Sequence, residues 1–184
     1  FLSVVSNQGT QLGALQDENS PLVLSTTVAI PESIRPFLNV LAVSSGLRLK
    51  EAAGDTPAAS VLMDDLVAAV QQTVDNGIFD ASFCLRGSVE NGLLPCGGLR
   101  LESAEKFLDA LEFLLQATSA SETVTVTRSE VGDCRMLSIR SEKTPVPFAG
   151  STIPVQLNLA ATGSWLWFTV GDESGVQMLE EIVA

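Results

Sequence analysis

Residues 122–171 read ETVTVTRSEVGDCRMLSIRSEKTPVPFAGSTIPVQLNLAATGSWLWFTVG, and this stretch decides the fold of the 184-residue chain. Over 123–128, Val124 and Val126 point one way while Thr123, Thr125 and Thr127 point the other. Residues 129–133 carry turn chemistry, with Gly132 able to take positive φ. Residues 135–141 follow with Leu137 and Ile139 on one face. Pro145, Pro147 and Gly150 interrupt the alternation, so 143–152 reads as a loop. Residues 153–161 set Ile153, Val155, Leu157 and Leu159 against Gln156 and Asn158. After the turn at Thr162-Gly163-Ser164, residues 165–170 place Leu166, Phe168 and Val170 opposite Trp165, Trp167 and Thr169. Period-two alternation with polar residues on one side marks an antiparallel sheet half covered by helices. A one-residue slip would reverse every side chain, so the register is well specified.

Helical patterns flank the stretch. Before it, over 103–117, Ala104, Phe107, Leu108, Leu111, Leu114, Leu115 and Thr118 recur at i, i+3, i+4, with Ser103 as cap and Glu105 at the positive end. After it, a helix over 174–183 is capped by Asp172 or Ser174 and buries Val176, Leu179, Ile182 and Val183. The fold class is therefore α+β: an antiparallel sheet of hairpins with helices packed mainly on one face.

Further out, 1–6 reads as a strand, 7–20 as a loop and 21–30 as a β-prone run. Pro31 and Ser33 open a helix with Ile34, Phe37, Leu38, Leu41 and Ala42 as its stripe, and Ser44-Ser45-Gly46 ends it. Residues 47–51 form a short strand and 52–57 a linker. A helix over 59–75 carries Leu62, Leu66, Ala69, Val70, Thr73 and Val74, and Asn76-Gly77 stops it. In the strand over 78–87, Phe79, Ala81, Phe83 and Leu85 face inward and Asp80, Ser82, Cys84 and Arg86 outward. Glu90-Asn91-Gly92 is a hairpin signal, and 97–101 returns. Strand, strand, helix thus recurs with helix starts near 32, 102 and 172. The chain reads as a single α+β domain over 1–184, compatible with two similar sub-units meeting near 52–58 or 118–122.

A net charge of −12 argues against nucleic acid, whose phosphates need clustered Lys and Arg, and against anionic lipid. No run of about 18 apolar residues spans a membrane. With no His, the chain has no Ser-His-Asp triad, Cys-His dyad or His-ligated zinc of its own. The odd count of three cysteines fits no tidy disulfide framework, so they read as small half-buried residues, with a bridge between Cys84 and Cys96 across the hairpin signal as the alternative. The start at Phe1, without Met or a basic segment, reads as a processed or excised chain.

Among candidate sites, Trp165 and Trp167 share one strand face and suit a ligand or protein partner, including a second copy, or else burial under another layer. Asp75, Asn76, Gly77 and Asp80 offer oxygens near a turn but lack an EF-hand ladder, and helix capping explains them. Asp172, Glu173, Glu180 and Glu181 read as a solvated face. Asp64, Asp65 and Asp80 are the carboxylates a hydrolase would use. Pro95-Cys96-Gly97-Gly98 offers backbone N–H groups to an anion. None of these patterns defines a catalytic residue, a metal site or a cofactor.

The run 159–170 with its Ser164-Trp165-Leu166-Trp167-Phe168 core, then Gly171-Asp172-Glu173 and a short helix, resembles the tail of uncharacterised secreted or envelope proteins of planctomycete-type bacteria. That resemblance covers about the last 30 residues and implies an extracytoplasmic (periplasmic or secreted) address. The expectation is a non-enzymatic binding or assembly module of a bacterial envelope protein. The alternatives are a carboxylate-based hydrolase and a structural fragment of a larger protein.

Overall fold

The computed structural model describes residues 20–54, 56–88, 92–118, 124–132, 134–148 and 151–184. The strand expected over 1–6, most of the loop over 7–20, and Glu90, Asn91, Asp133 and Gly150 lie outside them. The elements run β1 (Leu22–Ala29), α1 (Arg35–Ala53), α2 (Pro57–Asn76), β2 (Ile78–Ser88), β3 (Gly92–Arg100) and α3 (Ala104–Thr118). Then come β4 (Val124–Val131), β5 (Cys134–Phe148), β6 (Ser151–Thr162), β7 (Trp165–Val170) and α4 (Glu173–Val183). One described strand precedes α1, two precede α3 and four precede α4.

The strands form one seven-stranded sheet in the order β1-β2-β3-β7-β6-β5-β4, each pairing with its neighbours antiparallel. The fold is α+β, as the alternation of 122–171 dictates. Its register defines two faces. One row across all strands is Leu24, Phe83, Gly97, Phe168, Leu159, Leu137, Arg128. The adjacent row, on the opposite face, is Val23, Cys84, Cys96, Thr169, Asn158, Ser138, Thr127. The core is correspondingly double. On the first face Leu108 of α3 packs with Leu137, Leu159 and Leu166, and Val70 of α2 joins them. On the second, Leu179 of α4 packs with Met136, Ala160, Trp167, Cys84 and Cys96.

The helix opened at Pro31 does not stop at Ser44-Ser45-Gly46. It continues to Ala53, so 47–51 is helix rather than strand. Gly46 is there for packing: a Cβ on it would run into the Val67 side chain of α2. A glycine that permits two helices to approach carries the same letter as one that ends a helix. Lys50 then pairs with Asp64 at 2.6 Å, and Lys106 of α3 with Asp65 at 2.9 Å. These exposed pairs align the three helices and add little stability.

The strand over 78–87 is oriented opposite to expectation. Asp80, Ser82 and Cys84 are buried, while Phe79 is exposed. The polar side chains are buried because β1 supplies partners in register: Ser25 Oγ lies 2.8 Å from Ser82 Oγ, and Thr27 Oγ1 donates to Asp80 Oδ1 at 3.1 Å. Hydrogen-bonded polar groups tolerate burial. The loop expected over 143–152 is also largely strand. Pro145 and Pro147 of β5 pair with Pro154 and Thr152 of β6 after a register shift beyond Arg140. The pairing of β4 with β5 ends at Ser141, so that part of β5 has β6 on one side only among the described residues. An edge tolerates the missing proline N–H.

Candidate functional site

The helices cover the first face unevenly. α3 lies over β4, β5, β6 and β7, α2 reaches the sheet at β2, and α1 packs on α2 rather than on the sheet. The strip formed by β1, β2, β3 and the adjoining edge of β7 is left as an open apolar trough of ≈ 450 Å³. It is lined by Leu24, Thr26, Ala81, Phe83, Leu99 and Phe168. Phe83 and Phe168 stack with ring centroids 6.5 Å apart across Gly97, which stands between them in register. A Cβ on Gly97 would meet the Phe168 ring, so this glycine is the floor on which the aromatics close. Pro95-Cys96-Gly97-Gly98 is therefore the interior of β3, with its backbone in the sheet, and not an anion-binding loop.

The outer margin of the trough is β1. Its eight residues, LVLSTTVA, carry no charge and no proline, and pair with β2 without a bulge. Among the described residues no strand pairs with its other side. Edge strands are usually protected by charge, proline or irregularity, because an unpaired backbone invites another chain. The opposite edge, β4, carries Arg128 and Glu130. In β1, Leu24 is 58% exposed and Leu22 and Val28 are also open. α1, directly following β1, continues the apolar surface: Phe37, Val40, Leu41, Val43 and Leu47 are exposed, although Leu38 and Ala42 are already half-buried. A helix apolar around its circumference is ordinarily enclosed. Sequence reading took the strand at 21–30 correctly but missed the site, whose signal was the absence of charge over 22–29.

No family model, no curated protein and no solved structure matches the chain.

Trp165 and Trp167 lie on the α4 side of the sheet, in the core cluster with Leu179. Their rings are 5.9 Å apart. Trp167 is 7% exposed, and its Nε1 donates to Thr162 Oγ1 at 2.8 Å. Trp165 is half-buried. Beside them a polar network joins sheet to helix: Ser138 and Gln156 donate to Asn158 Oδ1, Asn158 Nδ2 donates to Thr169 Oγ1 and Gly171 O, and Thr169 donates to Gly175 O.

The carboxylates do not converge. Asp64 and Asp65 sit on α2 in the first-face layer, whereas Asp80 lies on the second face among β1 partners. The Asp75 oxygens are engaged, its carboxylate by Asn39 and its carbonyl by Arg35, whose guanidinium also abuts Gly77. A cation beside that turn opposes calcium. Among the described residues no three His, Cys, Asp or Glu side chains gather as a metal site. Asp172 caps α4 by accepting from the Ser174 N–H at 3.3 Å. With Glu173 and Glu180 it borders an open recess of ≈ 660 Å³ that also contains Arg140 and Gln156. Among the described residues, no helix is long and apolar enough to cross a membrane.

Proposed function

We propose that this chain is a non-enzymatic assembly module of a bacterial envelope or secreted protein, and that its partner is a second copy docking along β1. The observation that carries this reading is the uncharged, regular edge of β1 beside the apolar trough. Copies each carrying −12 repel, so they meet most favourably where neither presents charge. The trough residues and β1 carry none. Two β1 strands pairing antiparallel around a two-fold axis extend the sheet and shelter Leu24 of both copies, the self-complementary arrangement of a symmetric dimer. The resemblance of the last strand and helix to envelope proteins supports an extracytoplasmic setting.

Sedimentation of the wild-type chain and of Leu24→Asp tests the reading. The wild type is expected to associate with rising concentration and the variant to remain monomeric. Equal association of a folded Leu24→Asp would remove β1 from the interface. A wild type that stays monomeric would redirect the trough to a different protein partner.

A further inference from the structure

We propose that Cys84 and Cys96 are joined by a cross-strand disulfide when the chain folds in an oxidising compartment. The two residues stand directly opposite one another in the β2–β3 ladder and so share a face. Directly opposed antiparallel residues have Cα atoms about 4.5–5.5 Å apart. That lies inside the roughly 4.4–6.8 Å that a disulfide accepts. The structure holds all three cysteines as thiols, and both members of this pair are 0% exposed, enclosed with Leu179 and Trp167. Cys134 does not compete. It lies on β5, with β7 and β6 between it and β3, a lateral separation of roughly 14 Å at the usual strand spacing, and four residues along β5 from Ser138, which shares the Cys96 row.

The exchange balances with a small-molecule disulfide such as oxidised glutathione. One cysteine thiolate attacks a sulfur of the oxidant and expels a thiolate, leaving a mixed disulfide. The second cysteine attacks that mixed disulfide and releases the other half. The oxidant's S–S bond breaks, the protein's S–S bond forms, and two electrons and two protons pass to the two released thiols.

The fold determines when this happens. The hydrogen bond with Cys84, followed by burial, pushes the Cys96 thiol far above its ordinary range. A thiol held protonated and enclosed is a poor nucleophile. The bridge therefore forms while the hairpin is still open, before α4 closes over it. Cys134, only partly buried, is the thiol that reagents reach in the native protein.

The test is to unfold the reduced chain and refold it with oxidised and reduced glutathione. Remaining thiols are then blocked with iodoacetamide and the peptides mapped without reductant. The expected result is one blockable thiol, at Cys134, and a linked peptide pair containing Cys84 and Cys96. Cys134→Ser, treated the same way, is expected to have none. The bridged protein should melt about 5–10 °C above the reduced one, from the usual effect of closing a short loop in a chain of this size. Three blockable thiols after refolding, or a bridge to Cys134, would each overturn the proposal.

Discussion

Leu24 of β1 and Leu137 of β5 belong to one cross-sheet row, yet Leu24 is 58% exposed and Leu137 is 1% exposed. α3 accounts for the difference, because its layer covers β4, β5, β6 and β7 and stops short of β1. The same substitution at the two positions should therefore separate sharply. Leu137→Ala is expected to cost about 2–5 kcal/mol, the range for a buried leucine that leaves a cavity. Leu24→Ala should cost under about 1 kcal/mol in the monomer, as exposed substitutions do. Urea unfolding of both at low protein concentration measures this. Comparable losses would mean that Leu24 is covered within its own chain.

The polar network beneath α4 should act as a unit. Thr169→Val removes the side-chain donor to the Gly175 carbonyl and one acceptor from Asn158. Each unsatisfied buried group costs about 1–3 kcal/mol. Asn158→Leu additionally strands Ser138, Gln156 and the Gly171 carbonyl. The double variant should lose less than the sum of the two single losses. A double-mutant cycle by chemical denaturation reads this, and strict additivity would show that the two side chains act independently.

The tryptophans provide a third comparison. Trp167 is almost fully buried and hydrogen-bonded to Thr162, so Trp167→Ala should cost about 3–5 kcal/mol. Trp165 is half-buried and should cost clearly less. If both variants fold and only association weakens, the α4 side rather than β1 is the docking surface.

Glu102 supplies a pH dependence. Partial burial pushes its carboxyl pKa up, but hydrogen bonds from Ser164 and Asn76 and the positive charge of Arg100 outweigh this and hold it below the ordinary value. A depressed folded-state pKa means stability that is present above the unfolded value, about 4.3, and is lost as pH falls through the folded value. Glu102→Gln should therefore lower the melting temperature at pH 7 more than at pH 3. An equal deficit at both would assign the effect to shape rather than charge.

Much of the architecture was legible in the sequence. The alternation through 123–128, 135–141 and 153–170 gave the antiparallel sheet, and the regular apolar stripe gave α3. Residues with two physical roles misled. Gly46 looks like a terminator until Val67 stands against it. Pro145 and Pro147 look like loop residues until β5 is seen beyond its pairing with β4. Asp80 and Ser82 look solvent-facing until Thr27 and Ser25 meet them. The candidate site was hidden for a related reason. Which half of the sheet the helices leave open depends on contacts far apart in sequence, and no local pattern encodes it.

The most direct measurement is sedimentation velocity of the wild-type chain across a series of salt concentrations. An interface built from uncharged edges between two chains of charge −12 is opposed by long-range repulsion that salt screens. Dimerisation is expected to strengthen as ionic strength rises. Dimerisation that weakens with salt would show an interface held by ion pairs, and would contradict docking along β1.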